Sequence, residues 1–336
     1  MKFNPRKIKR LGLVGALTIL GGYGIYVATD RYVSQFIEKS RPQLQDQLAK
    51  KLGHPLVIGP YKGLRSWGLS LGPSKVLKGY EDPSTVSVSS LKVQFAPIAS
   101  FLNWRPVLIF SPKQARLHLD PNVNGQYWVL GTGENSGSNN LDLRIRLDNS
   151  SEVFLDSSKE AIRAKANASF VIPQKRIRGA ISFVFPDNGS LHLEGNGYWD
   201  RLSFLGKIKF SDFNLDNLQS STFSRYNYIA DGRVNANIQL GVQKSRFICK
   251  GRLDLDNFYL SSLDSSKSTL LSKETAINCR NRSLEILPTQ FKYGLWNVNL
   301  KGKMPIRSRS FSKLNLLSSV WINNNSDSAL NIDTSL

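Results

Sequence analysis

The chain is poor in the residues that build metal centres, disulfide frameworks and acid–base active sites. It has 2 cysteines, 3 histidines and only 25 acidic residues against 45 basic ones in 336 positions. Two cysteines are too few for a disulfide framework, and no cysteine or histidine has the spacing of a metal site. Cys249 and Cys279 each lie in an alternating apolar pattern. They are interpreted as buried small side chains, with a disulfide as the alternative in an oxidising compartment.

Catalytic and nucleotide-binding signatures are missing as well. The Gly131–Gly133 segment lacks the third glycine of a dinucleotide-binding turn, and no helical pattern follows it. His118 and Asp120 share a strand face, and so do His192 and Glu194. Both pairs occupy polar positions of alternating strands and are predicted to be solvated. With no nucleophile elbow either, the sequence predicts a protein that is not an enzyme and holds no metal or cofactor.

A long apolar run lies at the N-terminus. Residues 1–10 carry five basic residues and no acidic one, and Leu11–Thr29 adds nineteen uncharged residues. A helix needs roughly 20 apolar residues to cross a bilayer core. Because the basic flank comes first, residues 1–10 are predicted to be cytoplasmic and the body beyond Asp30 to lie on the far side. A cleaved signal peptide is the alternative, but the run is long and its end is a poor cleavage site. The apolar residues of this predicted anchor are Leu11, Leu13, Val14, Leu17, Ile19, Leu20, Ile25 and Val27.

The charge of the chain limits the classes of partner that we expect it to bind. The formal net charge is +20, of which the body beyond the N-terminal segment carries +15. This excess favours nucleic acid or anionic lipid head groups, and a basic but inert surface is the plain alternative. Because a membrane separates the predicted body from nucleic acid, we expect membrane phospholipid as the partner and no nucleic acid. The short basic clusters at residues 175–178 and 301–309 also lack aromatic residues for base stacking.

The spacing of apolar residues changes twice along the chain. Residues 31–52 have helical spacing, which predicts a short amphipathic helix, kinked near Ser40 or divided there, that ends at Gly53. Such a helix lies either on the membrane surface or over the edge of a sheet. From Leu56 the period is two, and Val86–Phe95 alternates with one break that is typical of a bulge.

From residue 141 the alternation is regular and predicts an extended antiparallel β body with one dry and one wet face. Leu141 to Leu147 are apolar at alternate positions, with Asp142, Arg144 and Arg146 between them. The residues predicted to form the dry face are Leu141, Leu143, Ile145, Leu147, Ile181, Phe183, Val234, Ala236, Ile238 and Leu240. They line either an open groove or the closed core of a sandwich, and alternation by itself does not distinguish the two.

A weak internal repeat supports a body of stacked hairpins. Gly206–Leu218 and Gly251–Leu263 share the order glycine, basic, aliphatic, any residue and apolar, followed by Phe-x-Leu-x-x-Leu. The two copies are offset by 45 residues, a size typical of repeated supersecondary units. The predicted division is residues 1–10 cytoplasmic, 11–29 transmembrane, 30–130 an α+β cap region, 141–310 the β body and 311–336 a polar tail.

Across residues 1–130 the order of features resembles the N-terminal part of the TamB-like proteins of the AsmA superfamily, especially cyanobacterial and plastid-envelope members. The resemblance rests on the anchor and on the following segments: Arg41–Leu44 (RPQL), Leu52–Gly59 (LGHPLVIG), Gly68–Ser74 (GLSLGPS), Asp82–Val88 (DPSTVSV), Ala115–Asp120 (ARLHLD) and Asn124–Trp128 (NGQYW). Together these segments extend in matching order over about a third of the chain.

The resemblance implies an inner-membrane protein whose body reaches into the periplasm as a long curved sheet. The concave apolar face of such a sheet shields acyl chains. Proteins of this family take part in outer-membrane biogenesis, either by moving phospholipid or by assisting protein assembly with an outer-membrane β-barrel partner. Because its members are several-fold longer, this chain is expected to be a fragment, a split gene product or a degenerate copy. A non-catalytic scaffold that binds partner strands at an open sheet edge is the alternative function.

Overall fold

A computed structural model describes most of the chain. The described residues are 5–79, 82–122, 140–155, 160–198, 203–218, 228–243, 246–262, 269–280, 283–293, 296–305, 317–323 and 329–335. The protein is mainly β: one large, curved, almost entirely antiparallel sheet accompanied by two α-helices. The predicted β body is therefore confirmed.

The first helix, α1 (Pro5–Leu52), is continuous. The helix predicted over 31–52 is thus the second half of a longer one, and it is not divided at Ser40 although Pro42 lies inside it. Gly53 ends the helix as predicted, with a φ of 74° and a hydrogen bond of 2.9 Å from its N–H to the carbonyl of Ala49. Glycine accepts this left-handed conformation without steric cost.

Side chains before Tyr26 are outside the described part of the chain, so seven of the eight anchor residues lie outside it and only Val27 is inside. Within the described residues, no helix is both long and apolar enough to cross a membrane. The transmembrane anchor stays a prediction.

Short strands follow α1, and one small helix lies among them. They are β1 (Leu56–Val57), β2 (Tyr61–Arg65), β3 (Gly68–Leu71), β4 (Ser74–Val76), β5 (Thr85–Val88), β6 (Ser90–Phe95), α2 (Pro97–Asn103), β7 (Val107–Lys113) and β8 (Arg116–Leu119). Longer strands form the body: β9 (Asp142–Leu155), β10 (Ile162–Val171), β11 (Arg176–Val184), β12 (Ser190–Tyr198), β13 (Ser203–Asn214), β14 (Tyr228–Gln243), β15 (Arg246–Ser262), β16 (Thr269–Arg280), β17 (Ser283–Tyr293) and β18 (Trp296–Pro305). The segment expected as a polar tail contributes β19 (Leu317–Asn323) and β20 (Ala329–Ser335).

From β9 to β20 every strand pairs antiparallel with the next, which makes a long meander. At β9 the sheet divides into two branches. The first half of β9 pairs in parallel with β7, which leads through β6 and β3 to β2. The second half pairs in parallel with β8, which leads through β5 and β4 to β1. This division corrects the bulge predicted within Val86–Phe95. The break there separates β5 and β6, which belong to different branches.

Helix α1 covers the ends of both branches. The Asp30 carboxylate accepts hydrogen bonds from the Tyr61 hydroxyl, at 2.6 Å, and from the Leu64 N–H, at 2.9 Å. Glu38 accepts one from the Tyr61 N–H, at 3.0 Å, and Gln45 accepts one from the Ile58 N–H, at 3.2 Å. These acceptors satisfy backbone groups of edge strands that the sheet leaves unpaired. The amphipathic helix was predicted to lie either on the membrane surface or over the edge of a sheet, and the structure shows it over the sheet edge.

The two repeat copies lie on either side of β14 and share a bulged strand, although Leu215–Leu218 of the first copy forms a 3-10 turn where the second continues as strand to Ser262. In each copy the residue before the phenylalanine has a left-handed backbone: Asp212 has a φ of 46° and Asn257 a φ of 51°. Aspartate and asparagine tolerate this conformation better than most residues. The pairing register shifts at both positions, so each copy carries a β-bulge. In β13 the bulge brings Phe210 and Phe213, three positions apart, to the same face of the sheet.

Candidate functional site: the two faces of the sheet

Two rows of apolar residues cross one face of the sheet from strand to strand. In each row, neighbouring residues are direct register partners. The first row is Ala164, Phe183, Leu191, Phe210, Ala236, Leu253, Ile277 and Ile286. The second row is Leu147, Ala166, Ile181, Leu193, Ile208 and Ile238. With strands about 4.8 Å apart, the first row, which crosses eight strands, is roughly 34 Å long.

All but one of the predicted dry-face residues lie on this face. Leu143, Ile145 and Leu147 alternate along β9, Ile181 and Phe183 along β11, and Val234 to Leu240 along β14. Leu141 is the exception because it precedes β9, where its carbonyl accepts a hydrogen bond from the Ile172 N–H. The structure therefore brings together residues that are up to about a hundred positions apart in the sequence.

One end of this face is a closed core, which we call the closed end. Its buried members are Val153, Ile162, Ala164, Phe185, Phe213, Val234 and Ala236. Phe213 is 1% exposed, and its ring packs edge-on against Phe185 at a centroid distance of 4.8 Å. Val234 and Ala236 are thus core residues. Sequence reasoning missed Phe213 as a member of the face, because without the Asp212 bulge it would point to the opposite side.

Phe183, Leu191 and Phe210 of the first row pack against this closed end. The rest of the face, which we call the open part, is only half-buried and begins at Ile238, which also touches the closed end. Its members are Leu143, Ile145, Leu147, Ile181, Leu193, Ile208, Ile238 and Leu240. Within the described residues the helices lie elsewhere, since α1 contacts β1 and β2 and α2 contacts β7. An apolar surface of this extent that keeps partial exposure is typical of a binding surface.

The opposite face carries a groove of about 880 Å³ with a basic lining. Five cationic side chains line it against one carboxylate: Arg144, Arg146, Arg178, Lys207 and Lys250, with Glu194. Within the described ranges, none of the five cations forms an ion pair. Such a groove can neutralise anionic groups. Among the described residues no aromatic side chain lines it, so these residues offer no platform for stacking bases.

The groove does not include Asp142, which the alternation placed on the wet face. Asp142 is buried, and its carboxylate lies 2.8 Å from Nε of Arg105. Its backbone N–H also donates to the carbonyl of Pro106, at 3.0 Å. The prediction was wrong here because Arg105 and Pro106, just before β7, contact the start of β9, and a buried carboxylate requires a partner.

The histidines do not converge on one place. His118 stacks on Phe154 at a centroid distance of 4.5 Å. His54 is buried, with Nε2 3.4 Å from a carboxylate oxygen of Asp82. Within the part of the chain that the structure describes, no group of three or more histidine, cysteine, aspartate or glutamate residues has the geometry of a metal site.

His192 has partners that resemble a catalytic triad. Its Nδ1 lies 2.8 Å from the Ser182 hydroxyl, and its Nε2 lies 3.8 Å from the Glu194 carboxylate. Both His192 and Glu194 are well exposed, and the strands around them are paired continuously on both sides. Backbone N–H groups in these ladders are already bonded, so they cannot form an oxyanion hole. The arrangement is that of a polar cross-strand network.

Cys249 and Cys279 form a disulfide that joins β15 to β16, with a Cα–Cα distance of 5.6 Å. Both side chains are buried at the margin of the open part, where Cys249 is the register partner of Leu240. Of the two interpretations of this pair, the structure has the disulfide.

Comparison of the chain with protein-family models, with curated proteins and with solved structures finds no match.

Proposed function

We propose that this protein is anchored in the inner membrane by its N-terminal segment and that its periplasmic β body shields the acyl chains of phospholipids. In this proposal the anchor is a transmembrane helix and the body is a groove of the AsmA/TamB type. The observation that carries the proposal is the open part of the apolar face. Within it, Leu147, Ile181, Leu193, Ile208 and Ile238, together with Ala166, form one unbroken register row and keep partial exposure across six strands.

The dimensions of the face support a lipid ligand. One leaflet of a bilayer has an acyl layer about 15 Å thick, which is half of the hydrocarbon core. The second apolar row, which belongs to the open part and crosses six strands, is roughly 24 Å long, more than one and a half times that length. A lipid can therefore lie along this row with its chains covered and its head group at the solvated rim.

The covalent structure fits the proposed compartment. Disulfides persist in oxidising environments such as the bacterial periplasm and are rare in the cytosol. The Cys249–Cys279 bond joins two strands of the body, whereas the cationic residues 1–10 favour the cytoplasm. The cationic N-terminal segment thus suits the cytoplasmic side of the membrane, and the disulfide-bonded body suits the periplasmic side.

A specific observation favours a second function, a scaffold for partner strands. Within the described strands, β20 pairs only with β19 and therefore has one free ladder edge. Its sequence, Ala329–Ser335, contains one charged residue and no proline, so little in it blocks the addition of another strand. An outer-membrane β-barrel partner or a client protein would then bind by β-augmentation.

Neighbouring residues on β14 provide the test. A photoreactive amino acid is placed in the full chain at Ile238, on the open part, or at Asn237, on the opposite face, and intact membranes are irradiated. We expect phospholipid adducts at position 238 and none at 237, as measured by mass spectrometry. Protein adducts at 238 without lipid would overturn the lipid proposal and show that this face binds a protein instead.

A further inference from the structure

A cluster of large apolar side chains stands out from the N-terminal end of the sheet. We call it the aromatic patch, and it consists of Trp67, Ile98, Phe101, Leu102 and Trp104. Their exposed fractions are 68%, 77%, 70%, 70% and 82%. No residue of α2 is buried. Apolar surface concentrated in this way marks an interaction site.

Helix α2 is fixed to the sheet by its polar groups, so the exposure of the patch does not come from a loose segment. The hydroxyl of Ser100 donates to the carbonyl of Ala96, at 2.8 Å, and accepts from the Val107 N–H, at 2.9 Å. Just after the helix, Arg105 forms the buried ion pair with Asp142 of β9. The single serine and the arginine thus hold α2 in place while its apolar side chains remain outside.

The patch lies beside the path of the apolar N-terminal run. Trp67 is joined to the start of α2, because its carbonyl accepts a hydrogen bond from the Phe95 N–H, at 2.7 Å. Strand β2 runs antiparallel to α1, since Ile58, Tyr61 and Leu64 bond to Gln45, Glu38 and Asp30 in that order. The chain after Leu64 therefore continues along α1 in the direction of Leu11–Thr29, and Trp67 lies on that side.

We propose that the aromatic patch inserts into the interface of the bilayer that holds the N-terminal anchor. Tryptophan and phenylalanine favour this layer, where an amphipathic ring or an apolar side chain lies at head-group depth. Arg65 and Lys62, both exposed on β2, lie two and five positions before Trp67 and supply positive charge for the anionic head groups. The body then meets the membrane at two places and is held at a fixed angle. The inference rests on the proposed anchoring of the N-terminal segment.

The test uses the full chain in phospholipid vesicles with a fluorescent thiol label at one position. Phe101→Cys places the label in the patch, and Leu271→Cys places it at an exposed apolar residue of β16. Leu271 is 40% exposed, and the two native cysteines are joined in the disulfide and do not react. Vesicles that contain lipids with a quencher on the acyl chain then report contact. Flotation of the same samples reports anchoring.

We expect the protein to float with the vesicles and the label at position 101 to lose about half of its fluorescence, since interfacial side chains lie 5–10 Å deep. The label at 271 should be unaffected. Flotation with an unquenched, solvent-exposed label at 101 would overturn the inference and leave the anchoring intact. A label at 101 that is shielded but not quenched would overturn it in favour of a protein partner. Failure to float would instead overturn the anchoring on which the inference rests.

Discussion

The closed end and the open part of the apolar face have the same kind of sequence and different surroundings. Both alternate apolar and polar residues on the same strands, yet Val234 is 4% exposed whereas Ile238, four positions later on β14, is half-buried. At the closed end the rings of Phe213 and Phe185 pack against each other within one buried cluster, and side chains from β8 and from the segment after β13, such as Leu117 and Leu215, pack against that cluster. Alternation therefore identifies a dry face, and contacts from other parts of the chain decide where that face is closed.

The largest contrast should appear in stability. Phe213→Ala removes a fully buried ring and leaves a cavity, so we expect the free energy of unfolding to fall by about 3–5 kcal/mol. Leu193→Ala removes a half-buried side chain of the open part and should cost about half as much. Denaturant unfolding of both variants measures the difference. Equal losses would mean that the open part is as closely packed as the closed end.

The disulfide offers a second test, because it stabilises the open part without a packed cluster. Cys249 and Cys279 are 30 positions apart, and closing a loop of this length is worth about 3–4 kcal/mol. The double variant Cys249→Ala/Cys279→Ala should lose about that much, as measured by denaturant unfolding. A much smaller loss would show that packing alone holds β15 against β16.

A charged residue in the open part should affect lipid more than stability. In Ile238→Lys the long side chain can reach solvent from a half-buried position, so we expect a loss of about 1–2 kcal/mol. Lipid adducts from a photoreactive residue at Leu193, its neighbour but one in the second row, should largely disappear.

The matched control for that change is Asn237→Lys, on the opposite face. It should leave both stability and lipid adducts unchanged, because exposed polar positions tolerate such substitutions. Global unfolding of Ile238→Lys but not of Asn237→Lys would show that the open part is a closed core.

The smallest effect should come from the helix-capped end, far from either part of the face. Hydrogen bonds from Tyr61 and Leu64 lower the pKa of Asp30 below its ordinary value of 3.8. A lowered folded-state pKa stabilises the protein above the unfolded value, and this contribution is lost as the pH falls through the folded one. The protection factor of the Leu64 amide, which corrects for the intrinsic pH dependence of exchange, should therefore fall in acid and in Asp30→Asn. Protection factors in the open part should not change. A fall there as well would mean that the cap and the face unfold as one unit.

Much of the fold could be predicted from the sequence because the sheet has one apolar side. The period of two identified the strands of the body, and the repeat indicated two equivalent strands, in which the structure shows matching bulges at Asp212 and Asn257. The branch point at β9 could not be predicted. Parallel pairing with β7 and β8 depends on contacts between distant segments, and the burial of Asp142 and the separation of β5 from β6 follow from it.

The candidate site, too, could be predicted only in part. Which residues face the same side follows from alternation, so nearly all of the predicted set lies together. Which of them remain accessible depends on tertiary cover, and the basic groove on the other face depends on register across seven strands. Neither the accessibility of these residues nor the groove can be predicted from the sequence around any one of them. The disulfide was one of two alternatives, because Cys249 and Cys279 become neighbours only through the pairing of β15 with β16.

The most direct test of acyl-chain shielding by the open part is a lipid crosslinking profile along β14. A photoreactive residue is placed in turn at Val234, Ala236, Ile238 and Leu240, which share one face and pass from the closed end to the open part. We expect phospholipid adducts to be absent at 234 and 236 and abundant at 238 and 240. A profile with no lipid at any of the four positions would contradict the proposal that this face shields acyl chains.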